Sequence, residues 1–227
     1  MELKKTLKDA LEHGCWLQTS GTTGAPKQIF QPVEKLRAAN EAARIANGIT
    51  KDSRILTVCT PKHAGGLLAQ TMPAYEIGAH IDYWPFNAYS WIRNITDYTH
   101  SHLTPDMARA VMKTKRFQEA DLTGITVMCG SDRVGNDIIN AFTTKGVDFI
   151  VNWGMTEVGP CAINKRFSPG DAADYEHTIM GDQTYCQTKI VDGELYVKGD
   201  IVVSKGWFKT GDRVSKTGNT YYFHGRI

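Results

Sequence analysis

The residues of this 227-residue chain that could do chemistry crowd first into one short stretch, Thr19-Ser20-Gly21-Thr22-Thr23-Gly24-Ala25-Pro26-Lys27. Two glycines let the backbone turn its N–H groups toward one point, which makes a concave anion site. The hydroxyls of Thr19, Ser20, Thr22 and Thr23 add neutral donors, and Lys27 adds a point charge suited to phosphate. The stretch is not a Walker A loop, because Lys27 follows a proline and no Ser or Thr comes after it. Read alone, it fits a phosphate cradle or a plain Gly/Thr turn between strand and helix about equally well.

Other reactive side chains are scattered. His100 and His102 lie two apart, which would put both on one face of a strand like a metal pair. No third ligand stands nearby, so solvated or hydrogen-bonded histidines are the better reading. Ser20 with His63 lacks the G-x-S-x-G elbow of a hydrolase. The five cysteines (Cys15, Cys59, Cys129, Cys161, Cys186) are odd in number and never spaced as C-x-x-C. They make neither a disulfide framework nor a zinc site, and they fit a reducing cytosol.

Further motifs follow the first in a fixed order. They are Pro61-Lys62-His63-Ala64-Gly65-Gly66-Leu67, then Cys129-Gly130-Ser131, then Trp153-Gly154-Met155-Thr156-Glu157. After these come Gly193-Glu194-Leu195-Tyr196-Val197-Lys198-Gly199, Gly206-Trp207-Phe208-Lys209-Thr210-Gly211-Asp212 and Gly225-Arg226. Together with TSGTTGAPK this series resembles the adenylate-forming superfamily of acyl-CoA synthetases, peptide-synthetase adenylation domains and luciferase. The o-succinylbenzoate type of ligase is one guess within it. Two positions depart from the usual pattern: Trp153 stands where tyrosine is common, and Cys129-Gly130-Ser131 replaces a Gly-Gly-Ala turn.

The resemblance implies ATP-dependent adenylation of a carboxylic acid with release of pyrophosphate, and ATP and Mg²⁺ as cofactors. Ser20, Thr22, Thr23 and Lys27 would hold the β- and γ-phosphates, with Thr19, Gly21 and Gly24 shaping the loop. Trp153 would stack on adenine, and Gly130, Ser131, Asn152, Gly154 and Met155 would complete the nucleotide site. Thr156 would bond the α-phosphate and Glu157 would bind Mg²⁺, so Lys27, Thr156 and Glu157 carry the catalysis. Asp212 would take the ribose hydroxyls, an ionised carboxylate offering two acceptor oxygens, with Arg226 approaching from the other side. His63 and Gly66 would border the acyl pocket. His63 is given no general-base role, since a carboxylic acid is already ionised near neutral pH.

Only 18 residues precede Thr19, and Ile227 follows Arg226 directly. Members of that superfamily carry an N-terminal subdomain and a C-terminal lid, the latter supplying a lysine and the thioester-forming site. The expectation is therefore reduced or partner-assisted adenylation, with CoA or a carrier thiol engaged only through a partner's lid. A homodimer or that lid-bearing partner would cover the apolar surface a missing front subdomain would leave. The alternative is a catalytically weak module that binds ATP, AMP or an acyl-adenylate.

These side chains need elements to position them. Leu3, Leu7, Ala10 and Leu11 recur at helical spacing with Gly14 as the cap, and a second helix over 33–47 lies between Pro32 and Gly48. A strand over 54–60, a helix over 66–77 kinked or split by Pro73, a strand over 81–83 and a helix over 91–98 follow. Next come a short strand at His102, a helix capped by Thr104 with Pro105 first, a strand over 125–129, a helix over 136–145 and a strand over 148–151. This alternation predicts an α/β body with a mostly parallel sheet and flanking helices over 1–165. Strand-like segments over 184–191, 194–198, 201–204 and 220–224, punctuated by Asp192-Gly193 and Thr217-Gly218-Asn219, predict a small β-rich, barrel-like subdomain over 166–227.

Composition sets the outer bounds. Hydrophobic residues are 41% and charged residues 22%, ordinary for a globular chain of this length. With 26 basic and 24 acidic residues, the net charge of +2 argues against nucleic acid or a membrane surface as the partner. No apolar run approaches the roughly 18 residues of a membrane span. The charged first 13 residues lack the apolar core of a signal peptide, so a cytoplasmic location is expected.

Overall fold

The computed structural model describes residues 2–19 and 26–227. Helix α1 (Glu2–His13) ends at Gly14, whose N–H bonds the Ala10 carbonyl at 2.9 Å with φ of 79°. Strands β1 (Cys15–Gln18) and β2 (Gln28–Gln31) then pair antiparallel, and α2 (Val33–Asn47) follows. The Gly/Thr stretch therefore joins two strands of a hairpin, rather than a strand and a helix. Its neck is closed by Thr19 N–H to the Lys27 carbonyl and Lys27 N–H to Thr19 Oγ1, both 2.9 Å.

The α/β body continues through β3 (Arg54–Thr57), α3 (Ala64–Leu68), α4 (Thr71–Glu76), β4 (His80–Tyr83), α5 (Ala88–Asn94) and β5 (His100–Leu103). It runs on through α6 (Pro105–Met112), α7 (Lys115–Glu119), β6 (Thr126–Cys129), α8 (Asn136–Thr144), β7 (Asp148–Met155) and β8 (Gly159–Phe167). Thr104 caps α6 as its sequence predicts, with Oγ1 accepting from Met107 N–H at 3.3 Å and Pro105 at the first helical position. The helix predicted over 66–77 is two helices, but Pro73 is not the cause. It sits in the first turn of α4, where a missing N–H costs no helical bond. The break falls at Gln70, whose backbone is non-helical (φ −143°) and whose side-chain Nε2 donates to Asn47 Oδ1 at 2.9 Å.

A seven-stranded sheet runs in the order β10-β8-β7-β6-β5-β3-β4, where β10 is Gln183–Thr184. The pairings from β4 to β7 are parallel, whereas β8 and β10 join antiparallel. Period-two alternation sends Phe149 and Val127 to one face and Ile150 and Met128 to the other. The first face packs a ring cluster of Trp91, Phe117, Phe142 and Phe149, with centroids 5.1–6.3 Å apart. The second face takes Ala43 and Ala46 of α2. Both faces are thus buried, as a parallel sheet requires.

A second sheet, five-stranded and antiparallel, runs β11-β12-β13-β14-β9. Here β9 is Thr178–Gly181, β11 Gln187–Val191, β12 Glu194–Lys198, β13 Phe208–Thr217 and β14 Thr220–Arg226. Positive φ at Asp192 (51°) and Gly193 (79°) makes the tight β11–β12 turn. Residues 201–204, expected as a strand, form no ladder. Ile201 and Val202 are anchored in the apolar cluster beneath the sheet, while Val202 N–H bonds Gly199 and Val203 N–H bonds Glu157. Strands β2, β8, β9 and β13 are additional to the expected ones.

Candidate functional site

The carboxyl ends of the parallel strands open onto one crevice, the place where open α/β sheets bind ligands. Its cavity has a volume of about 1040 Å³. Thr19, Lys27, His63, Gly66, Ser131, Asn152, Trp153, Gly154, Met155, Thr156, Glu157, Asp212 and Arg226 all line it. Gly130 does not reach the wall, standing directly behind Asn152. Ser20, Gly21, Thr22, Thr23 and Gly24 lie outside the described residues. The flanks of the Gly/Thr loop, the turn after β7 and the hairpin of the second sheet therefore converge, although they are remote in sequence.

Asp212 is the most tightly held of these groups. It is only 2% exposed, and the β13–β14 register sets it opposite Arg226. Trp153 Nε1 donates to Asp212 Oδ2 at 2.9 Å, while Arg226 Nε lies 2.9 Å from Oδ1. The Arg226 contact is an ion pair without hydrogen-bond alignment, which leaves Oδ1 buried with an unused lone pair. Arg226 is itself anchored by Nη1 donating to the Thr210 carbonyl at 2.9 Å. Burial pushes the pKa of the Asp212 carboxyl up, opposed by Arg226 and the Trp153 bond.

The Trp153–Glu157 motif is the β7–β8 hairpin. Gly154 is obligatory there, because a Cβ would stand 2.0 Å from the Gly159 carbonyl oxygen and 2.6 Å from Pro160 Cα. At Gly130 a Cβ would lie 2.3 Å from Asn152 Oδ1. With its amide nitrogen donating to the Pro160 carbonyl, Asn152 keeps Oδ1 buried and unpartnered at the cleft. Below the turn, the Thr156 carbonyl accepts from Gln31 Nε2 at 3.1 Å and from Lys35 Nζ at 3.2 Å. Lys35 is 2% exposed. Its pKa is pulled down to about 8 by burial, opposed by Cys15 and Glu157. Sequence reading passed over Gln31 and Lys35; an amphipathic helix start gives no sign that one of its cations is buried.

At the other end of the cleft, His63 Nδ1 donates to the Gln18 carbonyl at 2.9 Å, which ties α3 to the neck of the loop. Gly66 admits no side chain, since a Cβ would meet the Thr60 carbonyl oxygen at 2.0 Å. His100 and His102 are both buried, and burial drives both pKa values down to about 4. The hydrogen-bonded reading fits His100, whose Nε2 bonds the Asn47 carbonyl at 3.2 Å. It does not fit His102, which lines the cleft with neither ring nitrogen partnered.

No group of three His, Cys, Asp or Glu side chains able to hold a metal ion occurs among the described residues. A cation here would rest on Glu157 together with oxygens from a bound anion and water, the mode Mg²⁺ commonly adopts. Asn152 and Asp212 both line this cavity; Asn152 Oδ1 has no hydrogen-bond partner and Asp212 Oδ1 has only its ion pair with Arg226, which suits a ligand that brings donors of its own. No helix among the described residues is long and apolar enough to cross a membrane.

Comparison with known proteins places the chain among its relatives. The chain is 30% identical to an indoleacetate–CoA ligase of Aromatoleum aromaticum, over 89% of this chain and 45% of that protein. It is 24% identical to a feruloyl-CoA synthase of Amycolatopsis, over 93% and 49%. It thus spans about half the length of these curated relatives. In fold it superposes on ATP-bound MatB of Rhodopseudomonas palustris with a TM-score of 0.80 at 18% identity, covering 93% of this chain and 47% of the other. The o-succinylbenzoate CoA synthetase of Bacillus subtilis, in complex with ATP and magnesium, gives 0.78 at 22% identity, covering 93% and 49%. Residues 13–208 match the sequence profile described as AMP-binding enzyme, and with that span, most of its length, the chain belongs to the AMP-binding enzyme family.

Proposed function

We propose that this chain activates a carboxylic acid with ATP, forming an acyl-adenylate and releasing pyrophosphate. The observation that carries the reading is the convergence in one cleft of Thr19 and Lys27, the Thr156–Glu157 turn and the Asp212–Arg226 pair. A substrate carboxylate oxygen would bond to the α-phosphorus as the bond from that phosphorus to the bridging oxygen of pyrophosphate breaks. Both electrons of the broken bond leave with the pyrophosphate. Mg²⁺, when bound, would neutralise charge on the phosphate oxygens as it builds.

Each residue has a part that its surroundings support. Asn152 Oδ1, held free by its bond to Pro160, accepts from the adenine amino group, with the Trp153 ring and the backbone of Gly130, Ser131, Gly154 and Met155 around the base. Asp212 Oδ1 accepts from a ribose hydroxyl, and Arg226 keeps that carboxylate in place. Lys27 and the Gly/Thr loop neutralise the leaving pyrophosphate, Thr156 bonds the α-phosphate, and Glu157 holds the cation. His63 and Gly66 border the space for the acid. The reading covers the adenylation step, in the cytoplasm, with 1–165 as the nucleotide-binding body and 166–227 as the unit that brings Asp212 and Arg226.

The test is ATP–pyrophosphate exchange with Mg²⁺ across a library of carboxylic acids. Exchange with at least one acid, abolished by Lys27→Ala and by Glu157→Ala, is the expected result. Saturable ATP binding without exchange for any acid would demote the chain to a nucleotide-binding module, and no ATP binding at all would overturn the reading.

A further inference from the structure

Lys35 breaks two local rules at once. It lies in the first turn of α2, where the helix dipole disfavours a cation, and its ammonium is buried. Both of its hydrogen-bond partners are neutral oxygens, Gln31 Oε1 and the Thr156 carbonyl. The titratable groups bearing on it are Cys15 of β1 and Glu157 of the β7–β8 turn. A side chain that costs stability in its own helix is retained where it does something elsewhere.

What it does is visible in the bonding. Gln31 ends β2, the strand that leaves the Gly/Thr loop, and its Nε2 reaches the Thr156 carbonyl from 125 residues away in sequence. Lys35 completes a triangle by donating to both Gln31 and Thr156. The hairpin carrying the loop and the turn carrying Thr156 and Glu157 are thereby pinned to one buried ammonium.

We propose that Lys35 is a positioning residue that locks the Thr156–Glu157 turn to the hairpin of the Gly/Thr loop, setting the distance between the two halves of the phosphate site. The structural half of this inference stands on the bonds alone, and the catalytic half rests on the adenylation reading above. One ammonium serving both elements means its loss should loosen the turn without unfolding the chain. Loss of the ammonium takes the donor from Gln31 Oε1, so a modest fall in stability accompanies the loosening.

The experiment is Lys35→Met, read first by amide hydrogen exchange without nucleotide. The reporters are Val158 N–H, bonded to the Met155 carbonyl at 3.0 Å, and Val203 N–H, bonded to the Glu157 carbonyl at 2.9 Å. Both should exchange about tenfold faster while the chain stays folded and melts only modestly lower than wild type. In pyrophosphate exchange, KM for ATP–Mg²⁺ should rise about ten- to a hundredfold, with a smaller change in kcat. Unchanged protection of both amides would overturn the inference, whatever the enzymology shows. If wild type does not bind ATP, the adenylation reading falls while the exchange result still decides the role of Lys35. Should Lys35→Met fail to fold, Lys35→Gln, a neutral donor in the same place, is read instead and should give intermediate protection; wild-type protection there would equally overturn it.

Discussion

Two carboxylates face the same cleft and are held in opposite ways. Asp212 sits on the β13–β14 hairpin, buried, with Trp153, Arg226 and the Thr210 hydroxyl fixing its side chain and backbone. Glu157 sits on the β7–β8 turn, half-buried, and no hydrogen bond fixes its carboxylate among the described residues. That turn is held through main chain instead, by Val203 N–H at the Glu157 carbonyl and by Gln31 and Lys35 at Thr156. The difference suits two kinds of partner. A sugar hydroxyl needs an acceptor at a fixed point, whereas a cation with several water ligands needs a carboxylate free to adjust.

The largest effect should come from removing what both carboxylates share. Gly154 lies between Trp153, the donor to Asp212, and the Glu157 turn, and a Cβ there collides with main chain. Gly154→Ala should therefore destabilise the fold by about 3 kcal/mol or more, seen as a large drop in melting temperature, and abolish nucleotide binding. A melting temperature equal to that of wild type would show that the two sites are not built on one hairpin.

The next pair separates rigid from adjustable. Glu157→Gln should slow pyrophosphate exchange about a hundredfold while leaving stability within about 0.5 kcal/mol and metal-free nucleotide affinity near wild type. Asp212→Asn should instead weaken nucleotide binding by about ten- to a hundredfold, with or without metal. Calorimetric titrations of both variants, with Mg²⁺ and with a chelator, would erase the distinction if the two behaved alike.

The smallest effect is on pH dependence. Burial raises the Asp212 pKa, so the folded chain takes up a proton there more readily than the unfolded chain does. The contribution of this group to stability is therefore greatest below its unfolded pKa and declines as pH rises through the folded value. Nucleotide binding, which on the proposed reading needs the ionised form, should fail on acidification at a higher pH than an aspartate of ordinary pKa would set. The bond from Trp153 favours the ionised form, so Trp153→Phe should move that acid limb to higher pH. An unmoved limb in a pH series of binding titrations would mean that the indole does not support the charge.

Much of this was legible before the structure. The caps at Gly14 and Thr104, the alternation of strands with helices and the Asp192-Gly193 turn depend on neighbours within a few residues, which sequence displays directly. The motif residues stood out by type and spacing, and most of those described line one cavity. Other features depend on distant partners. Residues 201–204 have strand-like composition, yet their N–H groups go to Gly199 and Glu157. Strand β8 hides because, buried beside β7, it shows no alternation. Of the two histidines at strand spacing, one found the Asn47 carbonyl and the other found nothing, a difference set entirely by what packs against β5.

The amino-acid sequence by itself determined which elements form and which chemical groups are on hand, because propensity, capping and turn geometry act over a few residues. Only the tertiary structure decided that Trp153 bonds Asp212, that Asn152 keeps an oxygen free, and that Lys35 is buried beneath Thr156. Those contacts join segments far apart in the chain, and their geometry exists only after both sheets have closed on their cores.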